Sequence, residues 1–153
     1  MSRRHGIRSI LLASAAAGAL ALSSCAWASP TQTDKMYAAS DGARVSLSDG
    51  DAVRVENIML LTEAEGSAAQ LFGAVVNDTP QAITLGIDVE GASTSLEVDA
   101  NSVVRLEEEI DPIGASSVAP GASLPVTFNY QGTTTRDVPV LDGTLEPYDQ
   151  YLP

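Results

Sequence analysis

The chain has one cysteine and one histidine in 153 residues, and aromatic side chains make up only 5% of it. Each shortage closes off some chemistry. Cys25 has no partner for an intrachain disulfide, so a secreted domain of this composition must rest on its hydrophobic core. The single histidine, His5, lies in an N-terminal stretch that reads as a cleaved leader. Beyond it no imidazole is left to serve as the base of a nucleophilic triad, and zinc sites have neither their cysteines nor their histidines. Phosphate-cradling glycine loops are missing too: Gly42, Gly50, Gly66 and Gly73 are scattered turn or strand glycines. A carboxylate pair for glycoside hydrolysis is compatible with the composition, but the acids fall in turns and on solvent faces, with few aromatics to line a sugar subsite. The expectation is a protein that is not an enzyme and holds no cofactor or metal.

Bases are scarce as well. Eight Lys and Arg stand against 20 Asp and Glu, a formal charge of −12. Removing residues 1–24 takes away three arginines and no acid, which brings the remainder to −15. Lys35, Arg44, Arg54, Arg105 and Arg136 are then the only bases, too few for a phosphate-contacting patch. Nucleic acid is excluded as a partner on that ground. A long apolar run is also lacking. Ile10 to Leu22 is shorter than the ~20 residues a membrane-spanning helix needs, and no later run competes with it.

What is present at the N-terminus is an address. Arg3, Arg4 and Arg8 form a cationic head without acids, followed by the alanine- and leucine-rich run and then Leu22-Ser23-Ser24-Cys25. Small residues at Ser23 and Ser24 suit a narrow peptidase cleft, and the Cys25 thiol can be linked to diacylglycerol. This reads as a bacterial lipoprotein signal peptide, helical in its apolar part, with Cys25 as the lipid attachment site. Two or more acyl chains, palmitate among them, anchor a protein stably where one holds it marginally. The competing reading takes Ala26-Trp27-Ala28 as an ordinary cleavage site and releases a soluble protein starting at Ser29. Ser2-Arg3-Arg4 is also similar to a twin-arginine export signal, although Gly6 stands where a bulky apolar residue is usual.

The rest divides simply. Residues 1–24 are assigned to the signal peptide, 25–41 to the lipidated N-terminus and a flexible tether containing Ser29-Pro30-Thr31-Gln32-Thr33, 42–148 to one domain, and 149–153 to a C-terminal tail. Within the domain the apolar period is two. Ile83, Leu85, Ile87 and Val89 alternate with polar or small residues, as do Leu124, Val126, Phe128 and Tyr130. Leu71 to Val76 is apolar on both faces, which suits a central strand. In Val53 to Leu61 the alternation slips near Glu56-Asn57, as at a β-bulge. Turns are expected at Asp49-Gly50, Asn77-Asp78-Thr79-Pro80, Asp99-Ala100-Asn101, Pro120-Gly121, Gln131-Gly132 and Asp142-Gly143. Further strands are expected near Ser93–Val98, Ser102–Leu106, Arg136–Leu141 and Thr144–Tyr148, with Pro139 marking an edge or bulged strand. The fold class that follows is all-β: an immunoglobulin-like or cupredoxin-like β-sandwich of about seven to nine strands. Asp49-Gly50-Asp51 and Glu107 to Asp111 offer oxygen ligands for calcium but lack EF-hand spacing, and they read as solvated surface. Asn77-Asp78-Thr79 matches a glycosylation sequon, and Pro80 makes it a turn instead.

The order of these features is similar to a known family. A strand ends at Val75-Val76-Asn77 with a turn at Asp78-Thr79-Pro80; far downstream come Pro120-Gly121, Pro125-Val126-Thr127-Phe128-Asn129-Tyr130, a turn at Gly132 and Val138-Pro139-Val140. From about Ala43 to Val140 the chain resembles the actinobacterial LpqE-type lipoproteins and, more remotely, the PCuAC-type periplasmic copper chaperones. The resemblance implies a lipid-anchored sandwich on the outer face of the cytoplasmic membrane, in a lipoprotein branch of which some members are seen beside respiratory complexes. The copper chaperones hold Cu(I) through histidines and methionines. Beyond the leader this chain keeps only Met36 and Met59 and no histidine, so the copper function carries over at no residue. The expected function is a non-enzymatic, lipid-anchored envelope protein, an interaction or accessory module with an envelope or membrane protein partner. The alternative is a ligand- or metal-delivery protein of copper-chaperone descent.

Wild-type protein is expected to partition with membranes and to incorporate labelled palmitate, and Cys25→Ala to lose the label. A wild-type protein that is fully soluble and begins at Ser29 contradicts the anchor.

Overall fold

The computed structural model describes residues 40–153. The stretch read as a signal peptide and nearly all of the stretch read as a tether, Cys25 and Met36 among them, lie outside the described residues. Among the described residues no helix is long and apolar enough to cross a membrane.

The described chain is mostly β, as its alternation predicts, with one α-helical turn at Leu106–Glu109 where the strand expected to reach Leu106 stops at Arg105. Nine strands follow one another: β1 (Ala43–Ser46), β2 (Val53–Thr62), β3 (Ala68–Asn77), β4 (Ile83–Val89), β5 (Ala92–Val98), β6 (Ser102–Arg105), β7 (Ile113–Ala115), β8 (Ser123–Asn129) and β9 (Thr133–Leu141). They pair in the order β5-β4-β8-β9-β2-β3-β6, with β1 added on β2 and β7 on β3. One layer is β5-β4-β8-β9 and the other is built on β2 and β3. The main core lies between them, from Val55, Ile58 and Leu71 on one side to Leu85, Ile87 and Phe128 on the other. In β4 the alternation is complete, with Ile83, Leu85, Ile87 and Val89 buried. In β8 it is Leu124, Val126 and Phe128.

The slip in β2 is a bulge, and it decides what the strand does. Pairing with β3 shifts between Glu56 and Met59, and Asn57 takes φ 51°. Before the bulge Val53 and Val55 face the main core; after it Ile58 and Leu60 do. Met59 and Leu61 are thereby turned to the outer face, where they are nonetheless fully buried. Two glycines make room for the bulge. A Cβ at Gly42 would lie 2.5 Å from the Asn57 carbonyl carbon, and one at Gly73, which has φ 144°, would lie 3.0 Å from the Glu56 oxygen. Gly42 also donates its N–H to the Asn57 side-chain oxygen at 2.9 Å.

The cover over Met59 and Leu61 comes from the C-terminus. Thr144 to Tyr148, expected as a strand, is instead a turn leading into a 3₁₀ helix, Tyr148–Tyr151. The reason is local: the Asp142 carboxylate accepts from the Thr144 N–H and hydroxyl, and Gly143 sits at φ 67°. That Asx-type turn bends the chain out of the ladder. The tail assigned to 149–153 then packs Tyr151 and Leu152 into a second apolar cluster with Met59, Leu61, Phe72 and Tyr148. Phe72 meets Tyr148 edge-on at 5.3 Å and Tyr151 at 5.1 Å. Tyr148 donates its hydroxyl to Asp41 at 2.9 Å. Burial and that carboxylate push the Tyr148 phenol above its ordinary value.

Pro139 also has a place that the sequence left unspecified. β9 pairs antiparallel with β8 up to Pro139 and parallel with β2 at Val140 and Leu141, so it joins the two layers. Val140 exchanges hydrogen bonds with Ala122 and Gly121 on the β8 flank. By alternation Pro139 faces the other flank, one residue before the β2 pairing begins. Its missing N–H therefore costs neither ladder a bond. β9 is a joint between layers, and only its stretch from Thr133 to Pro139 has one paired flank.

Two of the connections that cross between layers, β3–β4 and β5–β6, are tied together by one side chain. Asn77 is fully buried at the end of β3. Its amide nitrogen donates to the carbonyls of Gln81 at 2.8 Å, Asp99 at 2.9 Å and Val98 at 3.2 Å. Its oxygen accepts from the Thr79 hydroxyl and N–H at 2.7 and 3.1 Å. The sequon asparagine is thus consumed in the β3–β4 turn, as the sequence reading of a turn requires.

Urea unfolding of three variants tests these assignments. Asn77→Ala strands buried carbonyls and is expected to cost at least ~2 kcal/mol. Phe128→Ala is expected to cost ~3–5 kcal/mol as a fully buried ring is lost. Thr127→Ala, half-buried and facing the other way, is expected to cost well under ~1 kcal/mol. Equal losses at positions 127 and 128 contradict the register.

Candidate functional site

The alternation that governs β4 and β8 fails in β5, and the failure marks an opening. Ala92 and Thr94 share a face of β5 with Leu96 and Val98. Leu96 and Val98 are buried, whereas Ala92 and Thr94 are exposed. A cavity of about 300 Å³ opens at that point. Leu71, Ile87, Val89 and Ile110 form its apolar floor, and the stretch Glu109 to Gly114 forms the wall opposite β5. It is the mouth of the sandwich, where the gap between layers reaches solvent.

Both walls are fixed. The β4–β5 hairpin turns through Glu90 and Gly91 at φ 50° and 85°, the left-handed pair of a tight two-residue turn. The Glu90 carboxylate accepts the Ser117 N–H at 2.9 Å, which fastens the hairpin tip. On the other side, the buried Gln70 amide donates to the Ile110 carbonyl at 3.0 Å. β7 pairs with β3, and Ser116 exchanges backbone bonds with Ser67 and Gly66 at 2.9 and 2.8 Å.

β5 is the last strand of its layer. In a two-residue hairpin the flanking residues, here Val89 and Ala92, exchange both hydrogen bonds. Alternation then turns the N–H and C=O of Ser93, Ser95 and Glu97 to the unpaired flank. Register with β4 runs without a break, and β5 contains no proline and no lysine, the devices that usually blunt an edge.

The electrostatics of the mouth have one sign. Glu109 and Asp111 line it, and among the described residues no basic side chain does. Nineteen acids face four arginines over residues 40–153. Three of those arginines are engaged: Arg44 with Asp51 and Glu56, Arg54 with Glu56 and Asp78, and Arg105 with Glu108.

The residues singled out from the sequence are not brought together here. Cys25 and Met36 lie outside the described residues. Met59 is sealed under Tyr148. Of the acids in the two candidate calcium stretches, Asp51 is bound to Arg44, Glu107 accepts the Gly73 N–H at 3.3 Å, and Glu108 faces Arg105 at 3.7 Å, while Glu109 and Asp111 line the mouth. Among the described residues no three His, Cys, Asp or Glu side chains are grouped to hold a metal ion. The mouth itself went unread in the sequence. Its trace is Ala92-Ser93-Thr94-Ser95, a strand segment with no large apolar residue on the face that should be inward.

No protein-family model and no curated protein matches the chain. A solved structure described as the copper-bound PCuAC domain from PmoF2 is similar over 60% of this chain and 93% of that one, at 17% identity and a TM-score of 0.42.

The Asp51 carboxyl lies below its ordinary value: burial acts to raise it, but the bond from Arg44 and the charge of Arg54 outweigh burial. A carboxylate depressed by folding stabilises above its unfolded value and stops doing so as the pH falls through its folded value. Asp51→Asn is therefore expected to cost under ~1 kcal/mol at neutral pH. The difference from wild type should vanish in acid, read as converging urea midpoints.

Proposed function

We propose that this chain is a non-enzymatic, lipid-anchored accessory module at the outer face of the cytoplasmic membrane, and that it works by contact with an envelope or membrane protein. The observation that carries this reading is the mouth beside β5: an apolar floor, an unpaired strand flank and an acidic lining in one place. At about 300 Å³ the cavity is at the lower end of small-molecule sites, and it suits a side chain of a larger partner better than an enclosed ligand. The leader of residues 1–24, followed by Cys25, supports the address in this reading. The alternative, delivery of a ligand or soft metal, has less to work with: from residue 40 onward the chain has no histidine or cysteine, and its one methionine, Met59, is fully buried.

A module with this charge is steered to basic surfaces, and steering of that kind acts mainly on the association rate. The full-length protein, purified in mild detergent, is expected to recover a discrete protein partner at low salt and to lose it at ~1 M salt, where the screening length falls to ~3 Å. No partner at low salt, or equal recovery at both, contradicts the reading.

A further inference from the structure

We propose that the partner supplies an extended, cationic segment that adds as a strand to the free flank of β5 and seats one apolar side chain in the mouth. This inference rests on the accessory-module reading and specifies its contact.

Three features select such a ligand. First, Ser93 and Ser95 offer N–H and C=O groups in strand spacing on a flank that no strand among the described residues occupies. An added strand satisfies these groups, and main-chain bonding of this kind provides affinity while pockets for alternate side chains provide selectivity. Second, Ala92 and Thr94 leave the cavity open beside that flank. A residue of the incoming segment that points inward would meet Leu71, Ile87 and Val89, an apolar floor of aliphatic size. Third, Glu109 and Asp111 stand on the opposite wall with no base beside them among the described residues. Lysine or arginine on the segment would face these acids. A second copy of this chain is a poor occupant, because it would bring a domain with fifteen excess negative charges against another.

Binding to the full-length protein in detergent is measured by fluorescence anisotropy with a labelled nine-residue peptide that carries lysine, leucine and lysine at positions two apart, so that all three share one face of the strand, with threonine between them. The same peptide N-methylated at alternate amides keeps every side chain and charge but cannot form one ladder. Wild type is expected to bind the first peptide at low salt and the second at least tenfold more weakly. Binding is expected to raise hydrogen-exchange protection at Ser93 and Ser95. Gly114→Trp fills the mouth at a position where a Cβ meets nothing within 4 Å. Ser93→Pro removes an N–H that the β4 ladder does not use. Each is expected to weaken binding tenfold or more, while Glu63→Gln, exposed on the β2–β3 turn, leaves it unchanged. No binding by wild type, equal binding of both peptides, or wild-type affinity in both mouth variants overturns the proposal. A membrane partner still recovered by Gly114→Trp and Ser93→Pro places the contact elsewhere and leaves the accessory-module reading standing; wild type recovering none overturns both.

Discussion

The fold depends on the buried amide of Asn77. The chain passes from one layer to the other between β3 and β4 and returns between β5 and β6. Neither passage contains a cysteine, so no covalent cross-link ties them. The Asn77 side chain sits between them and makes five hydrogen bonds, to Gln81 and Thr79 on the outgoing loop and to Val98 and Asp99 at the return. Each buried polar atom of the amide is satisfied, which is the condition under which such a group specifies one arrangement. The Asp78 N–H adds a bond to the Ala52 carbonyl at 2.8 Å, and the Asn101 N–H one to the Thr79 carbonyl at 3.0 Å. The end of the sandwich is thereby held by backbone groups that one side chain gathers.

A second constraint sits in the middle of β2. The bulge at Asn57 lets one strand serve two cores, because it reverses which residues point inward. That reversal is possible only where neighbouring strands allow a close approach, and Gly42 and Gly73 provide it from both sides. The outer cluster under Tyr148 follows from the bulge, since without it Met59 and Leu61 would have fallen on the other parity. Burial on both faces makes β2 and β3 the rigid centre to which Ile110 and β7 are fastened, and it is against that centre that the mouth stays open.

Much of this architecture is legible in the residues. Period-two alternation located β4 and β8, and the slip at Glu56-Asn57 located the bulge. What alternation does not encode is which layer a strand joins. Pro139 signalled an irregular strand, but only the pairing with β2 at Val140 shows that β9 passes from one layer to the other. The C-terminal segment was misread because Leu145 and Tyr148 resemble alternation over a few residues, while the Asx turn at Asp142 and the left-handed Gly143 override it. The mouth was missed for a different reason. Its defining residues, Ala92 and Thr94, are small and ordinary, and what makes them a site is the absence of a facing strand, which is a property of the fold and not of the residues.

The contact between Asp41 and Tyr148 has a mechanical consequence. Any tension drawn through the chain that precedes Ser40 enters the domain at Asp41 and Gly42. It is received by the Tyr148 hydroxyl and by the Asn57 side chain, both on the outer face of the β2 layer. Force applied there tugs first on the small C-terminal cluster and on the short ladder between β1 and β2, which can peel one bond at a time. The bonds that frame the mouth, made by Gln70, Ser116 and Ser117, belong to a separate set. A domain pulled from Ser40 would therefore yield first at the C-terminal cluster and the β1–β2 ladder, while the bonds that frame the mouth take no part in that first step.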